Sequence, residues 1–276
     1  VPYHSADSYI ARLIAKGYKI AICEQTEDPA QAKGLVDRDI IRVVTPGTVI
    51  ASSMLEDSKN NYICAIYADS AAFGLCLCDI STGEVYASSF PAGEEGLGHL
   101  QNELARFHPA EAVLSSGAWN TDGLVSFLRQ RLDCLCESGG EARFRIGAAR
   151  PLTEKQFKTG LQDIPQRDEA SIQAVGGLLA YLYETQKTDL SHISALTYYT
   201  PGQFMELDLT ARQTLELTST MRGKEKKGSL LWVLDKTKTA MGGRLLRGWL
   251  ERPLLSPVQI ARRQQGVADL VEDAIT

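Results

Sequence analysis

Three strand-like runs follow one another in the middle of the 276-residue chain, and they constrain its fold more than any other feature. The runs cover Tyr62–Tyr67, Phe73–Ile80 and Glu84–Phe90, and each is apolar for most of its length. Asp69-Ser70 and Ser81-Thr82-Gly83 separate them, and such residues are typical of hairpin turns. The pattern therefore predicts an antiparallel sheet of three strands and excludes an all-helical fold for this region.

After the third strand, the pattern changes to alternating helices and strands. Apolar spacing predicts helices over Glu94–Phe107 and Leu124–Arg131 and strands over Ala112–Ser115 and Leu132–Cys136. Two further helix-like stretches follow, Thr153-x-x-Gln156 with a capping-box start and Ala170–Thr185. Three antiparallel strands followed by alternating helices and strands are typical of an α/β domain with an RNase H-like sheet.

The regions on either side of this domain have different patterns. The first reads as a helix and two short strands, Tyr18–Cys23 and Ile40–Val44, the second of which stops at the turn signature Thr45-Pro46-Gly47-Thr48. From Leu207 onward the apolar periodicity is helical. We therefore expect an α/β multidomain chain with a truncated mixed α/β domain at 1–53, a linker at 54–61, the RNase H-like domain at 62–200 and an all-α region at 201–276.

Charge is distributed unevenly along the chain. The formal net charge is −5, but residues 51–200 carry eleven basic against nineteen acidic side chains, whereas residues 201–276 carry twelve basic against nine acidic ones. Segments of opposite sign indicate different partners for different parts of the chain. The acidic total therefore does not argue against nucleic-acid binding by the basic parts.

Composition narrows the class of protein further. A hydrophobic fraction of 44% and a charged fraction of 23% exclude a mainly disordered or collagen-like chain. No apolar run approaches the ~18–20 residues that a membrane span needs, so no membrane partner is expected. The six cysteines lie mostly in apolar runs and no signal-peptide pattern is present, which predicts reduced thiols and a cytoplasmic location. Because the sequence opens on Val1, we expect it to be a piece of a longer protein.

The run Asp79-Ile80-Ser81-Thr82-Gly83 is the sharpest local motif, and it has two interpretations. In RNase H-like ATPases such a hairpin cradles phosphate while the aspartate holds a metal or a water. A nuclease would instead need several carboxylates around two metal ions, and the later strands offer only Glu111. In a purely structural hairpin, Asp79 and Ser81 would bond the backbone. Both an enzyme centred on Asp79 and a structural turn remain open.

Other motifs give weaker signals. The loop Gly223–Ser229 superficially resembles a phosphate loop but lacks the lysine after its second glycine and joins two helices, which indicates a solvated loop. Phe204-Met205-Glu206 has the Phe-x-Glu spacing that some proteins use to wedge into DNA, and we interpret it as a coincidence. The four histidines have neither metal-ligand nor catalytic spacing. We therefore expect no catalytic set, no metal site and no cofactor in this chain.

Two groups of basic residues are candidates for DNA contact. The run Arg222–Arg252 carries nine basic against three acidic residues. It forms either the solvent-exposed face of helices or a surface that binds the DNA backbone and gains affinity by releasing the counterions of the DNA. The same alternatives apply to Lys33, Arg38 and Arg42 in the first region.

Motifs from one end of the chain to the other resemble three consecutive domains of one family. They are Val1-Pro2-Tyr3-His4, Ala21-Ile22-Cys23-Glu24-Gln25, Asp28-Pro29, Lys33-Gly34 and Arg42–Thr48; then Asp79–Glu84; then Leu215-Glu216-Leu217, Ser229-Leu230-Leu231, Leu234-Asp235, Met241-Gly242 and Arg244–Leu250. Together they resemble the MutS family of bacterial DNA mismatch repair proteins. The matching parts are the second half of its mismatch-recognition domain, its connector domain and the start of its helical lever, or core, domain.

This resemblance implies a division of labour within a longer parent protein. The family's Phe-x-Glu wedge would lie upstream of Val1, and its DNA clamp and P-loop ATPase would lie downstream of Thr276. The chain itself would then be a scaffold and allosteric relay, not an enzyme. The parent would bind mismatched duplex DNA in an ATP-coupled manner.

The resemblance also implies partners and DNA-binding residues. The parent would form a homodimer, use ATP and Mg²⁺, and recruit the MutL protein through its connector. Arg38 falls where the family's recognition domain approaches the phosphate backbone, and Lys33 and Arg42 are further DNA-binding candidates. A non-repair paralogue of the family, acting as an adaptor, remains an alternative.

Overall fold

The computed structural model describes residues 3–26, 36–56, 59–157, 163–165, 167–200, 202 and 204–273. The chain divides into two compact units, Val1–Glu56 with Asn60–Tyr198 and Asp57–Lys59 with Tyr199–Thr276, called here the sheet unit and the helical unit. The mixed α/β class predicted from the sequence is confirmed. No helix within the described ranges is long and apolar enough to cross a membrane.

A six-stranded mixed sheet forms the centre of the sheet unit. The described part of the sheet unit has eight strands, and the last six form this sheet. In chain order they are β1 (Ile20–Gln25), β2 (Arg38–Val44), β3 (Tyr62–Ala68), β4 (Ala72–Asp79), β5 (Glu84–Pro91), β6 (Glu111–Leu114), β7 (Leu135–Ser138) and β8 (Ala195–Tyr198). The spatial order of the large sheet is β7-β6-β3-β4-β5-β8, and β1 and β2 pair separately. The predicted antiparallel arrangement of β3, β4 and β5 is confirmed, and β6, β7 and β8 each join in parallel.

Six helices belong to the described part of the sheet unit. They are α1 (Tyr3–Ile14), α2 (Glu94–Phe107), α3 (Ser116–Trp119), α4 (Leu124–Arg131), α5 (Ile146–Gln156) and α6 (Glu169–Gln186). The predicted bounds of α2 and α4 are confirmed. The helix α2 ends at His108, which takes a left-handed conformation (φ 48°) and donates its backbone N–H to the carbonyl of Leu104.

Besides shifts of one or two residues at the ends of most strands and of α6, three elements differ from the sequence prediction. The strand β7 begins three residues later than predicted, because Asp133 adopts φ 52° and the N–H of Cys134 closes onto the carbonyl of Leu128. Thr153 does not begin a helix: α5 already starts at Ile146, and the buried Thr153 hydroxyl donates to the carbonyl of Ala149. The edge strand β8 was not predicted; it pairs in parallel with β5, and that contact is distant in sequence.

The long helix α6 covers β3 and β4 and buries most of its length against them. Its first turn passes so close to the sheet that a Cβ atom at Gly74 would lie 1.9 Å from the carbonyl oxygen of Ala170. Asp168 caps this end of α6, since its side chain accepts a hydrogen bond from the N–H of Ser171. Glycine at position 74 therefore sets the spacing between helix and sheet.

The first region adds a small layer to the sheet unit. The strands β1 and β2 form an antiparallel pair whose register shifts between Ile22 and Cys23. The turn Pro46–Thr48 follows as a single 3₁₀ turn, with the side chain of Thr45 at its start. β2 packs against α6, so the strand pair lies on the same helix that covers the large sheet.

The helical unit contains four described helices, as the periodicity predicts. They are α7 (Leu209–Thr214), α8 (Leu230–Leu234), α9 (Ala240–Glu251) and α10 (Pro257–Glu272). Each is capped by a side chain that accepts a backbone hydrogen bond, namely those of Asp208, Ser229, Thr239 and Ser256. The helix α10 begins with Ser256 as cap and Pro257 in the first turn.

Candidate functional site

Asp79, the residue on which an enzymatic interpretation depends, is fully buried at the end of β4. Its Oδ1 accepts hydrogen bonds from the backbone N–H and the hydroxyl of Ser81 at 2.9 and 2.6 Å. Its Oδ2 accepts from the amide side chain of Asn60 at 2.9 Å and the backbone N–H of Asn61 at 3.1 Å. An ionised carboxylate offers about four acceptor sites, so protein donors engage the whole group. The bond from the Ser81 N–H is of the kind that the structural-turn interpretation predicts, whereas the bonds from Asn60 and Asn61 join the hairpin to residues that precede β3.

The cysteines lie mainly in the core of the sheet unit. Five of the six are buried free thiols, and Cys23 is exposed. Burial raises the pKa of the Cys64 and Cys76 thiols well above their ordinary value. Across the described part of the chain, no group of three or more His, Cys, Asp or Glu side chains is placed to hold a metal ion.

The three predicted DNA-binding residues have different surroundings. Arg38 is exposed at the start of β2, opposite Gln25 of β1. Arg42 is engaged within the protein, because its Nε donates to the Gln186 side chain at 2.9 Å and its Nη2 to the Thr48 carbonyl at 2.8 Å. Burial lowers the pKa of the Arg42 guanidinium. Lys33 lies outside the described residues, and a DNA contact by any of the three stays a prediction.

The basic run of the helical unit contains ion pairs. Lys226 lies 2.6 Å from a carboxylate oxygen of Asp235, and the pKa of Asp235 is lowered by this lysine and by hydrogen bonds from Thr237. Arg247 pairs with Glu251 on α9 at 3.5 Å. The charges of this run are therefore partly neutralised locally, and its DNA-binding role also stays a prediction.

Phe204, in the Phe-x-Glu run, has local partners within the helical unit. It forms an isolated antiparallel bridge with Leu254, and the next N–H, that of Met205, donates to the Pro253 carbonyl at 2.8 Å. The guanidinium of Arg252 lies 5.9 Å from the centre of its ring. These contacts agree with the interpretation of the spacing as a coincidence.

Sequence reasoning missed a polar junction between the first region and the large sheet. Residues 60–198 of the sheet unit, which contain the six-stranded sheet, are called here the sheet domain. Four of its side chains form the junction, and we call them the polar socket: Glu111 on β6, Glu137 on β7, and Tyr181 and Gln186 on α6. The only sequence signal was an acidic residue, Glu111, at the start of an otherwise apolar strand. The socket receives contacts from Lys19, Arg42, Thr45 and Gly47.

A small strand pair fixed to a larger sheet domain, followed by a helical unit, defines a multidomain α/β protein. Family models match this whole arrangement in order: MutS domain I over residues 1–53, MutS domain II over 61–194 and MutS domain III over 210–276. The chain therefore belongs to the MutS family of DNA mismatch repair proteins, as its motifs predict.

Curated relatives agree with the family models. The DNA mismatch repair protein MutS of Ruminiclostridium cellulolyticum is 46% identical over 270 residues, 98% of this chain and 31% of that protein. Those of Acetivibrio thermocellus and Symbiobacterium thermophilum are 45% and 44% identical, covering 99% and 98% of this chain and 31% of each relative. The chain thus spans about a third of the length of the curated relatives it matches.

Proposed function

We propose that this chain is the scaffold and relay part of a MutS-type protein that binds mismatched duplex DNA in an ATP-coupled manner. The observation that carries the proposal is the match to three MutS domain models in order, together with relatives that are 40–46% identical over essentially the whole chain. The docking of β1 and β2 on the sheet domain supports it, because packed side chains and hydrogen-bond networks can carry energetic coupling between parts of a protein.

Within this proposal, residues 62–200 form an RNase H-like connector. The strand order β7-β6-β3-β4-β5, with three antiparallel strands followed by two parallel ones, supports this assignment. Residues 1–53 would then be the end of the recognition domain, and residues 201–276 the start of the lever.

The parent protein supplies the remaining parts of the function. We propose that its wedge, clamp and ATPase lie outside this chain, that it dimerises, and that it recruits MutL through the connector. ATP and Mg²⁺ act in the parent, and this chain holds no cofactor of its own. The engaged carboxylate of Asp79 supports a non-enzymatic role here, since no acceptor site is left over for a catalytic metal.

Arg38 is the residue through which the first region is expected to touch the DNA backbone. Arg38→Ala should weaken binding to duplex DNA about equally for all sequences and lower the slope of log affinity against log salt concentration by about 1. The measurement is fluorescence anisotropy of a labelled duplex titrated with the chain at several salt concentrations.

Arg12→Ala is the matched control for this measurement. Arg12 is also exposed and basic in the first region, but it lies on α1 rather than on β2. We expect this variant to keep the salt slope of the unmodified chain. Equal slopes for Arg38→Ala and the unmodified chain would contradict the assignment of Arg38.

A further inference from the structure

Glu111 brings a carboxylate into the interior at the start of β6, where its side chain is 0% exposed. Its Oε1 accepts a hydrogen bond from the hydroxyl of Tyr181 at 2.6 Å. Its Oε2 accepts from the backbone N–H of Gly47 at 3.1 Å and from the hydroxyl of Thr45. A buried carboxylate is tolerated only when its oxygens are hydrogen-bonded. Two of these three donors come from the first region of the chain.

Lys19 adds a cation to the same junction. It pairs with Glu137 and lies 3.7 Å from Oε1 of Glu111, and its ammonium donates to the Tyr181 hydroxyl at 3.1 Å. Burial lowers the pKa of Lys19, and the charge of Glu111 opposes that shift. The two carboxylates of the polar socket therefore face one lysine of the first region.

The turn that contains Gly47 also fits closely against the sheet. A Cβ atom at Gly47 would lie 2.8 Å from the Cβ atoms of both Glu111 and Ile63. Glycine is thus required for the turn to approach the sheet closely enough for its N–H to reach the carboxylate. At the other end of the socket, Gln186 bonds Arg42 at 2.9 Å and donates to the Val43 carbonyl at 3.4 Å.

We propose that the polar socket is a specific docking site for Lys19, the strands β1 and β2 and the turn Pro46–Thr48, and that Glu111 is its positioning residue. The first region is held on β6, β7 and α6 by these polar contacts, so weakening them should loosen β1 and β2 more than β3 and β4. Arg42 serves docking through Gln186, and the exposed Arg38 is carried on the docked strand. The proposal goes beyond the proposed function, because it requires neither DNA nor a longer protein.

Hydrogen exchange on the full 276-residue chain tests this docking. Glu111→Gln keeps the size of the side chain but removes its charge and turns an amide N–H₂ group toward the donors of Thr45, Gly47 or Tyr181. We expect backbone amides of β1 and β2 to exchange at least about tenfold faster, while amides of β3 and β4 change less than about threefold. Unchanged protection of β1 and β2, or an equal loss in both regions, would overturn the proposal.

Asp168→Asn is the matched control for position. Asp168 is a hydrogen-bonded carboxylate at the opposite end of α6, where it accepts from Ser89, Ser171 and Tyr198. It touches none of the first region in these bonds, so its replacement should leave the exchange of β1 and β2 within about twofold of the unmodified chain. Faster exchange of β1 and β2 in this control would overturn the specific role of Glu111.

If Glu111→Gln does not fold, a second pair of variants tests whether the polar socket holds the first region. Lys19→Met and Glu137→Gln each remove one partner of an ion pair at the edge of the socket, where the side chains are 34% and 29% exposed. Lys19→Met should speed exchange of β1 and β2 about threefold, and Glu137→Gln less, because Lys19 keeps its contacts with Glu111 and Tyr181 there; the double variant should do no more than Lys19→Met alone. Additive effects, or none, would overturn docking by this pair.

Discussion

Gly74→Ala should lower the free energy of unfolding of the sheet unit by about 3 kcal/mol or more. The added Cβ would lie 1.9 Å from the carbonyl oxygen and 2.3 Å from the carbonyl carbon of Ala170. These are backbone atoms of the first turn of α6, so no side chain can rotate away to make room. The helix would have to move off β4, and its buried contacts with the sheet would be lost. Urea denaturation followed by circular dichroism measures the change.

Gly98→Ala is the matched control for this prediction. Gly98 lies inside α2, and a Cβ atom there would have nothing within 4 Å. Alanine is a better helix former than glycine, so this variant should be more stable by about 0.5–1 kcal/mol. Equal midpoints for Gly74→Ala and the unmodified chain would show that α6 does not pass as close to the sheet as described.

Asp79→Ala should lower the free energy of unfolding by about 3 kcal/mol. The variant removes a buried acceptor of four hydrogen bonds and leaves the donors of Asn61 and Ser81 without it. Hydrogen bonds to charged groups contribute about 1.5–3 kcal/mol, and unpaired buried donors add to the loss. The same denaturation experiment measures it.

Asp69→Ala is the matched control for Asp79→Ala, because it removes an exposed hairpin aspartate instead of a buried one. Asp69 also accepts backbone hydrogen bonds in a hairpin turn, from Ala71 and Ala72, but it is exposed. Its replacement should lower the free energy of unfolding by about 1 kcal/mol or less. A separate assay tests the enzyme interpretation. The unmodified chain is incubated with Mg²⁺ and with ATP or DNA, and we expect no hydrolysis that depends on Asp79. Such hydrolysis would favour the enzyme interpretation of this hairpin.

The sequence predicted those elements well whose own residues show a clear apolar periodicity or are bounded by turn residues. The three strands β3 to β5 have clear turn residues between them, and α2 and α4 have complete apolar stripes. β7 was displaced because Asp133 takes a left-handed conformation, which composition does not reveal. The strand β8 is held mainly by its pairing with β5, a contact that is distant in sequence.

The polar socket shows what single-sequence reasoning cannot reach. Glu111 pairs with Thr45 across 66 positions, Arg42 with Gln186 across 144, and Lys19 with Tyr181 across 162. Such pairs form only in the complete fold. From the sequence alone, a basic residue of the first region is therefore equally compatible with a DNA contact and with a docking contact. The structure shows these interactions for Lys19 and Arg42, whereas Arg38 is exposed.

We propose that this chain carries the scaffold of mismatch recognition and not the discrimination itself. The most direct test compares the affinity of the full 276-residue chain for a duplex with one G·T mismatch and for the matched duplex, by anisotropy at low and physiological salt. We expect weak binding to both duplexes, with equal affinities that fall steeply as the salt concentration rises. A preference of about tenfold or more for the mismatch, about 1.4 kcal/mol, would contradict it, because discriminating contacts would then lie within this chain.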